Sequence, residues 1–243
     1  MRKDLYEDLY TTEETHWWHK AKRIHVEQLI ATHIRTTKPI ILDVGCGTGK
    51  NMENLSHYGD VWGVDISKDA LMFCKKRGIK QIKMGDVEHL PFPNNTFNIV
   101  CVLDVLEHTD ENSSIKEIKR VLKNNGFVIL TVPAFDWLWS KWDEILHHKR
   151  RYTKKQLENI FIKEDFEIKK ITYIYSFLII PSLIIRKIKG LCQQSYSSDF
   201  QINNPIVNSL LLFLSKLEQK WINRYDMPFG TSVLCIAQKR NEK

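Results

Sequence analysis

Three glycines alternate with other residues in Gly45-Cys46-Gly47-Thr48-Gly49, directly after the apolar run Ile40–Val44 and just before Asn51–His57, whose composition suits a helix. A strand that runs through such a turn into a helix presents backbone amides to a ligand, because glycine tolerates positive φ and lets the ligand come close to the chain. Three ligand classes use turns of this kind, and spacing separates them. A triphosphate loop requires GxxxxGK followed by Ser or Thr; here the residue five before Gly49 is Val44, and Asn51 follows Lys50. The dinucleotide fingerprint is GxGxxG, whereas this turn reads GxGxG and has Asp43 in front of it, where a pyrophosphate would meet a negative charge.

S-adenosylmethionine (SAM) has no phosphate and carries an ammonium and a sulfonium, so a carboxylate at Asp43 attracts it. Asp65 closes the next apolar run, Val61–Val64, about 20 residues beyond the turn, where a carboxylate can accept ribose hydroxyls. Asp86 follows Gly85 after a third run; its side chain can accept from an adenine amino group while Val87 packs on the ring. Taken alone, the glycine turn has a purely structural reading. Acidic residues at two further run ends favour the cofactor.

Other residues could serve the cofactor's tail or a methyl acceptor. Arg23 suits the carboxylate of SAM through its planar fork, or it is a solvated arginine on a helix face. The run His147–Arg151 could bind an anionic group or form a solvated basic loop. His148 is the candidate general base because histidine titrates near neutral pH, with His108 as second choice; for both, a structural role stands as the alternative. Trp17, Trp18, Trp137, Trp139 and Trp142 can line a pocket or simply pack.

The elements that must position these residues are legible in outline. Short apolar runs at Ile40–Val44, Val61–Val64, Lys80–Met84, Ile99–Leu103 and Phe127–Val132 predict strands, and Asn51–His57, Lys68–Arg77 and Ser113–Lys123 predict helices between them. This alternation builds a doubly wound α/β sheet. Glu13–Arg35 predicts an N-terminal amphipathic helix, and Phe166–Tyr175 and Thr231–Gln238 predict two later strands. Between those strands, Phe177–Ile185 and Ile206–Trp221 predict a helical insertion at about 176–228. We therefore expect one domain over 1–243, with a helical cap at 1–38, a cofactor-binding core at 39–133 and a substrate-side half at 134–243.

Composition narrows the class. Hydrophobic content of 43% and charged content of 27% describe an ordinary globular chain. The apolar stretch from Ile171 to Ile185 falls short of the roughly 20 residues that span a bilayer and contains Pro181, so peripheral membrane contact is the most it suggests. The acidic N-terminus has no apolar signal segment, and the expectation is a cytoplasmic protein. Five scattered cysteines without a CxxC pair indicate neither a disulfide framework nor a zinc site, and no metal is expected. A net charge of +7 permits acidic partners without requiring them.

As an ordered set, ILDVGCGTGK, GVDIS, GDVEHLPFPNNTFNIV, LDVLEH and RVLKNNGFVILTVP, spanning roughly 39–133, resemble the SAM-binding half of class I methyltransferases. The resemblance implies a Rossmann-like seven-stranded sheet with the last strand antiparallel. It also implies SAM binding, with S-adenosylhomocysteine as product, by Asp43, Gly45, Gly47, Asp65 with Ile66, Asp86 with Val87, and Leu103. Asn98 stands where an aspartate is usual, and Asn124-Asn125 replaces a Pro-Gly-like turn. The flanking His16-Trp17-Trp18, and Trp139-Ser140 with Asp143, His148 and Arg151-Tyr152, resemble a bacterial subgroup associated with glycans and secondary metabolites; Trp142 and His147 depart from its usual His and Gly.

The reaction expected is methyl transfer to an O or N atom of a small-molecule, glycan-related or lipid-like acceptor. A nucleic-acid methyltransferase is the first rival, disfavoured because Leu103-Asp104-Val105-Leu106 lacks the Asn/Asp-Pro-Pro-Tyr/Phe pattern of base-amine methylation. A non-catalytic SAM-binding regulator and an NAD-dependent oxidoreductase complete the alternatives.

Overall fold

A computed structural model describes residues 3–184 and 204–241. Its centre is a seven-stranded sheet of β1 (Ile40–Val44), β2 (Asp60–Asp65), β3 (Ile82–Met84), β4 (Phe97–Leu103), β5 (Leu122–Pro133), β6 (Phe166–Ile174) and β7 (Ser232–Lys239). The strand order is β3-β2-β1-β4-β5-β7-β6. β1 to β5 pair in parallel, while β7 inserts antiparallel between β5 and β6. This is the fold class that the sequence resemblance implied, with its last strand reversed.

Alternate strand residues feed two apolar layers, as period-two side-chain geometry requires of a sheet covered on both faces. Leu42, Val100, Val102, Val128 and Leu130 face one layer with Ile115 and Ile118 of α5 (Glu111–Val121) and Leu157 and Phe161 of α7 (Lys154–Lys163). Ile41, Ile99, Cys101, Ile129 and Ile236 face the other, against α2 (Trp17–His33), α3 (Lys50–Leu55) and α8 (Pro205–Ile222). Two further helices are α4 (Lys68–Lys76) and α6 (Lys141–Ile145).

The N-terminal region differs from its prediction. Instead of one helix from Glu13, α1 (Lys3–Thr12) precedes α2, and the chain between them is not helical. His16 caps α2 by accepting the Trp18 amide on its ring nitrogen, which starts the helix four residues late. Tyr6 of α1 packs with Ala70 and Phe73 of α4, and an α1 residue, Leu9, approaches the glycine turn. α7 was also not anticipated, although Thr153 and Gln156 form a reciprocal capping box and Leu157 and Phe161 follow at helical spacing.

The predicted insertion is largely helical where described: residues 176–178 form a turn, 179–184 are helical, α8 follows, and 223–228 are turn and coil; Ile185 and the rest of the interval up to 203 lie outside the described residues. α8 docks on α2 through Asn208, whose side chain accepts the Trp17 amide at 2.7 Å and donates to the Thr15 carbonyl at 3.0 Å. Among the described residues no helix is long and apolar enough to cross a membrane.

Candidate active site

In a doubly wound sheet, ligands sit beyond the carboxyl ends of the strands where the order reverses, here between β1 and β4. The glycine turn leaves β1 at that point. Gly45 and Cys46 donate their amides to the Val64 carbonyl at 2.8 and 3.1 Å, which ties the turn to β2. Gly45, Gly47 and Gly49 all have positive φ. At Gly45 the requirement is double, because an added Cβ would lie 2.4 Å from Cγ2 of Val105 beyond β4.

Asp43 and Asp65 come together under this turn. Asp43 is buried, and its Oδ2 has no hydrogen-bond partner. Burial, and then the nearby charge of Asp65, pushes its carboxyl up to about 8. Asp65 accepts the Gly47 amide on Oδ2 at 2.9 Å and the Ser67 amide on Oδ1 at 2.8 Å. Burial also raises Asp65, although those backbone hydrogen bonds favour its ionised form. Ile66, next in line, is 69% exposed, and Val87 is buried. Asp86, beyond β3, accepts the Glu88 amide on Oδ1 at 3.0 Å. Asp43 and Asp65 thus form a close pair.

These residues fit SAM. An unpartnered buried carboxylate oxygen is costly unless a donor meets it, and an ammonium group is such a donor. SAM, when bound, supplies a methyl group on a positively charged sulfur.

Arg23 is not a solvated arginine. Its side chain is buried, donates to the Glu13 carbonyl at 2.8 Å, and lines a narrow cavity with Leu103 and Asn51. The solvated-loop reading of His147–Arg151 also fails for most of the run. Asp143 is fully buried and draws in His148, whose Nδ1 lies 2.8 Å from Oδ1, and Arg151, which donates from Nε at 2.8 Å and Nη2 at 2.9 Å. Burial acts to raise the Asp143 carboxyl, but hydrogen bonds from His148 and Arg151 outweigh it and hold the group well below the carboxylate range. Arg150 pairs with Glu111 at 2.9 Å.

The loop lies across the end of β4, where the Lys149 amide donates to the Glu107 carbonyl at 2.8 Å. The His108 and His148 rings sit edge to face at 4.8 Å. Burial, and then His148, pushes His108 down to about 4. Of the tryptophans, Trp17 is buried in the core, whereas Trp137 and Trp139 are exposed.

Sequence reasoning missed Lys22, Glu13 and Asp104. Lys22 pairs with Asp104 and sits 3.5 Å from the centre of the Trp18 ring; Thr131 donates to Asp104 at 2.9 Å. Buried Glu13 accepts from Thr48 and from Arg77, locking the start of α2 to the glycine turn. No local pattern marks these residues, because each partner lies on a distant segment.

Comparison with known proteins agrees with this fold. The profile of a family described as a methyltransferase domain matches residues 42–130. An uncharacterised protein of Methanocaldococcus jannaschii is 32% identical over 185 residues, which is 75% of this chain and 68% of that protein. An uncharacterised methyltransferase of Schizosaccharomyces pombe is 34% identical over 131 residues, 47% of this chain and 46% of its own length. The structure of a Haloferax volcanii protein solved with the Trm112 methyltransferase activator shares the fold with a TM-score of 0.63 at 14% identity, covering 99% of this chain and 95% of that one. The fold and site define a SAM-binding α/β enzyme. The chain belongs to the class I SAM-dependent methyltransferases.

Proposed function

We propose that this enzyme methylates an O or N atom of a small-molecule, glycan-related or lipid-like acceptor, and that Arg23, Asp43, Gly45, Gly47, Asp65, Ile66, Asp86, Val87 and Leu103 hold SAM. The buried, unpartnered Oδ2 of Asp43 beside the glycine turn carries the cofactor assignment. In this reading Arg23 meets the cofactor's carboxylate, Asp65 shares its remaining lone pairs with the ribose, and Asp86 with Val87 takes the adenine end. We also propose that the chain works as one unit, with residues 1–38 and about 176–228 covering the core.

His148 is the acceptor-side base in this reading. Asp143 fixes its Nδ1 and thereby sets which ring nitrogen is free to take a proton. A neutral amine acceptor would attack without such help, whereas a hydroxyl gains from losing its proton. Exposed Trp137 and Trp139 beside this loop, and Leu210, Phe213, Leu217 and Trp221 exposed on α8, support an acceptor with apolar surface. The exposed residues of α8 also support a second reading, in which the chain works with a protein partner or rests against a membrane surface; the Haloferax volcanii relative in fold is bound to an activator.

Incubation of the enzyme with methyl-labelled SAM and a fractionated metabolite and lipid extract tests the reading. Label should move to a small organic or lipid fraction. Label in nucleic acid alone, or SAM binding with no transfer to any fraction, would replace it with one of its rivals.

A further inference from the structure

The end of β4 carries a cluster that methyl transfer by His148 alone does not use. Glu107 is fully buried, and neither of its carboxylate oxygens has a hydrogen-bond partner. Its Oε1 lies 3.9 Å from Nε2 of His148. His108 completes the group, and one ligand atom from each of the three residues lies within 4.8 Å of the others. Asp143 holds the opposite nitrogen of the His148 ring at 2.8 Å, so Nε2 is the nitrogen turned to Glu107.

We propose that Glu107, His108 and His148 form a binding site for one divalent first-row transition metal ion. Two imidazoles with one carboxylate suit zinc, manganese or iron(II) and are poor partners for magnesium or calcium, which prefer all-oxygen shells. Tetrahedral bonds of about 2.1 Å place ligand atoms about 3.4 Å apart, so the atoms, now within 4.8 Å of one another, must close by up to about 1.4 Å around an ion. An ion there would give the buried Glu107 carboxylate the partner it lacks. Asp143 supplies the outer carboxylate that commonly orients a metal-bound histidine. Around the cluster Lys22 pairs with Asp104 and Arg151 with Asp143, which leaves Glu107 as the carboxyl without a cationic partner of its own.

Three protein ligands leave a coordination position for water or an acceptor oxygen. The site thus deepens the proposed function, resting on the assignment of this face to the acceptor, and favours a hydroxyl-bearing acceptor over an amine. His148 cannot be ligand and free base together. With an ion bound, Nε2 would be a ligand rather than a base, and the ion would lower the pKa of a bound acceptor hydroxyl so that its proton could leave to solvent.

Chelator-stripped protein, titrated with Zn²⁺ at about pH 7.5 against a chromophoric competitor, tests the site without any turnover. The expected result is about one ion per chain, with a dissociation constant below about 10 μM. Affinity should fall at least about tenfold in E107Q, H108A and H148A, and by a comparable factor in D143N. Co²⁺ should give a visible spectrum that E107Q alters. Affinity for S-adenosylhomocysteine, measured on the same samples, shows that each variant is folded. Wild-type binding weaker than about 100 μM, or zinc binding undiminished in E107Q and H148A, overturns the metal site and leaves the methyltransferase reading intact. Zinc binding without S-adenosylhomocysteine binding overturns the cofactor assignment and leaves the metal site standing.

Discussion

The Oδ2 of Asp65 accepts the Gly47 amide at 2.9 Å, so the end of β2 clamps the turn that leaves β1. One carboxylate thereby fixes the turn and, in the proposed complex, still has lone pairs for the ribose. Asp65→Ala should weaken S-adenosylhomocysteine binding by about 1–3 kcal/mol, read by titration calorimetry. An unchanged affinity would take Asp65 out of the site.

Asp43 should make binding proton-linked. Its carboxyl is pushed up to about 8, first by burial and then by Asp65, so the ligand-free protein holds a proton there at neutral pH. A cationic amino group favours the ionised form, and binding at about pH 7 should therefore release a proton. Affinity should climb as pH rises toward about 8 and level off above it. Calorimetry in two buffers of different ionisation enthalpy measures the release, which Asp43→Asn should abolish.

Gly45→Ala should destabilise the chain by about 1–3 kcal/mol, since φ is +67° and the new methyl would lie 2.4 Å from Val105. Adding Val105→Ala should recover the steric part and leave the backbone part. Urea melts of the two variants separate these contributions; equal stability of Gly45→Ala and wild type would contradict the close approach of β4 to the turn.

Buried His25 gives the α2–α8 contact an acid sensitivity. Its Nδ1 donates to Gln219, and burial pushes its pKa down from 6.5 to about 4. Between those values the unfolded chain binds a proton that the native chain refuses, so this contribution to stability is present above pH 6.5 and is lost as pH falls toward 4. In His25→Gln, the fall in unfolding free energy between pH 7 and about pH 5 should be shallower than in wild type. An identical slope would assign the acid sensitivity to other groups.

What the sequence by itself determined is what local chemistry encodes. Short apolar runs rich in β-branched residues marked all seven strands, with only the start of β5 missed by five residues, and Asp43 with the glycine turn pointed to a phosphate-free cofactor. The capping box at Thr153 was equally local and could have revealed α7. What only the tertiary structure decided is which distant groups meet. Arg23 and Arg151 read in the sequence as ligand-binding or solvated cations, yet one donates to the Glu13 carbonyl and the other to the Asp143 carboxylate. Glu107 and His148 lie on segments far apart in the chain and face each other only because the loop after β5 folds back over the end of β4. Periodicity follows from the backbone of one element, whereas the partner of a buried charge is fixed by packing between elements, which no local pattern records.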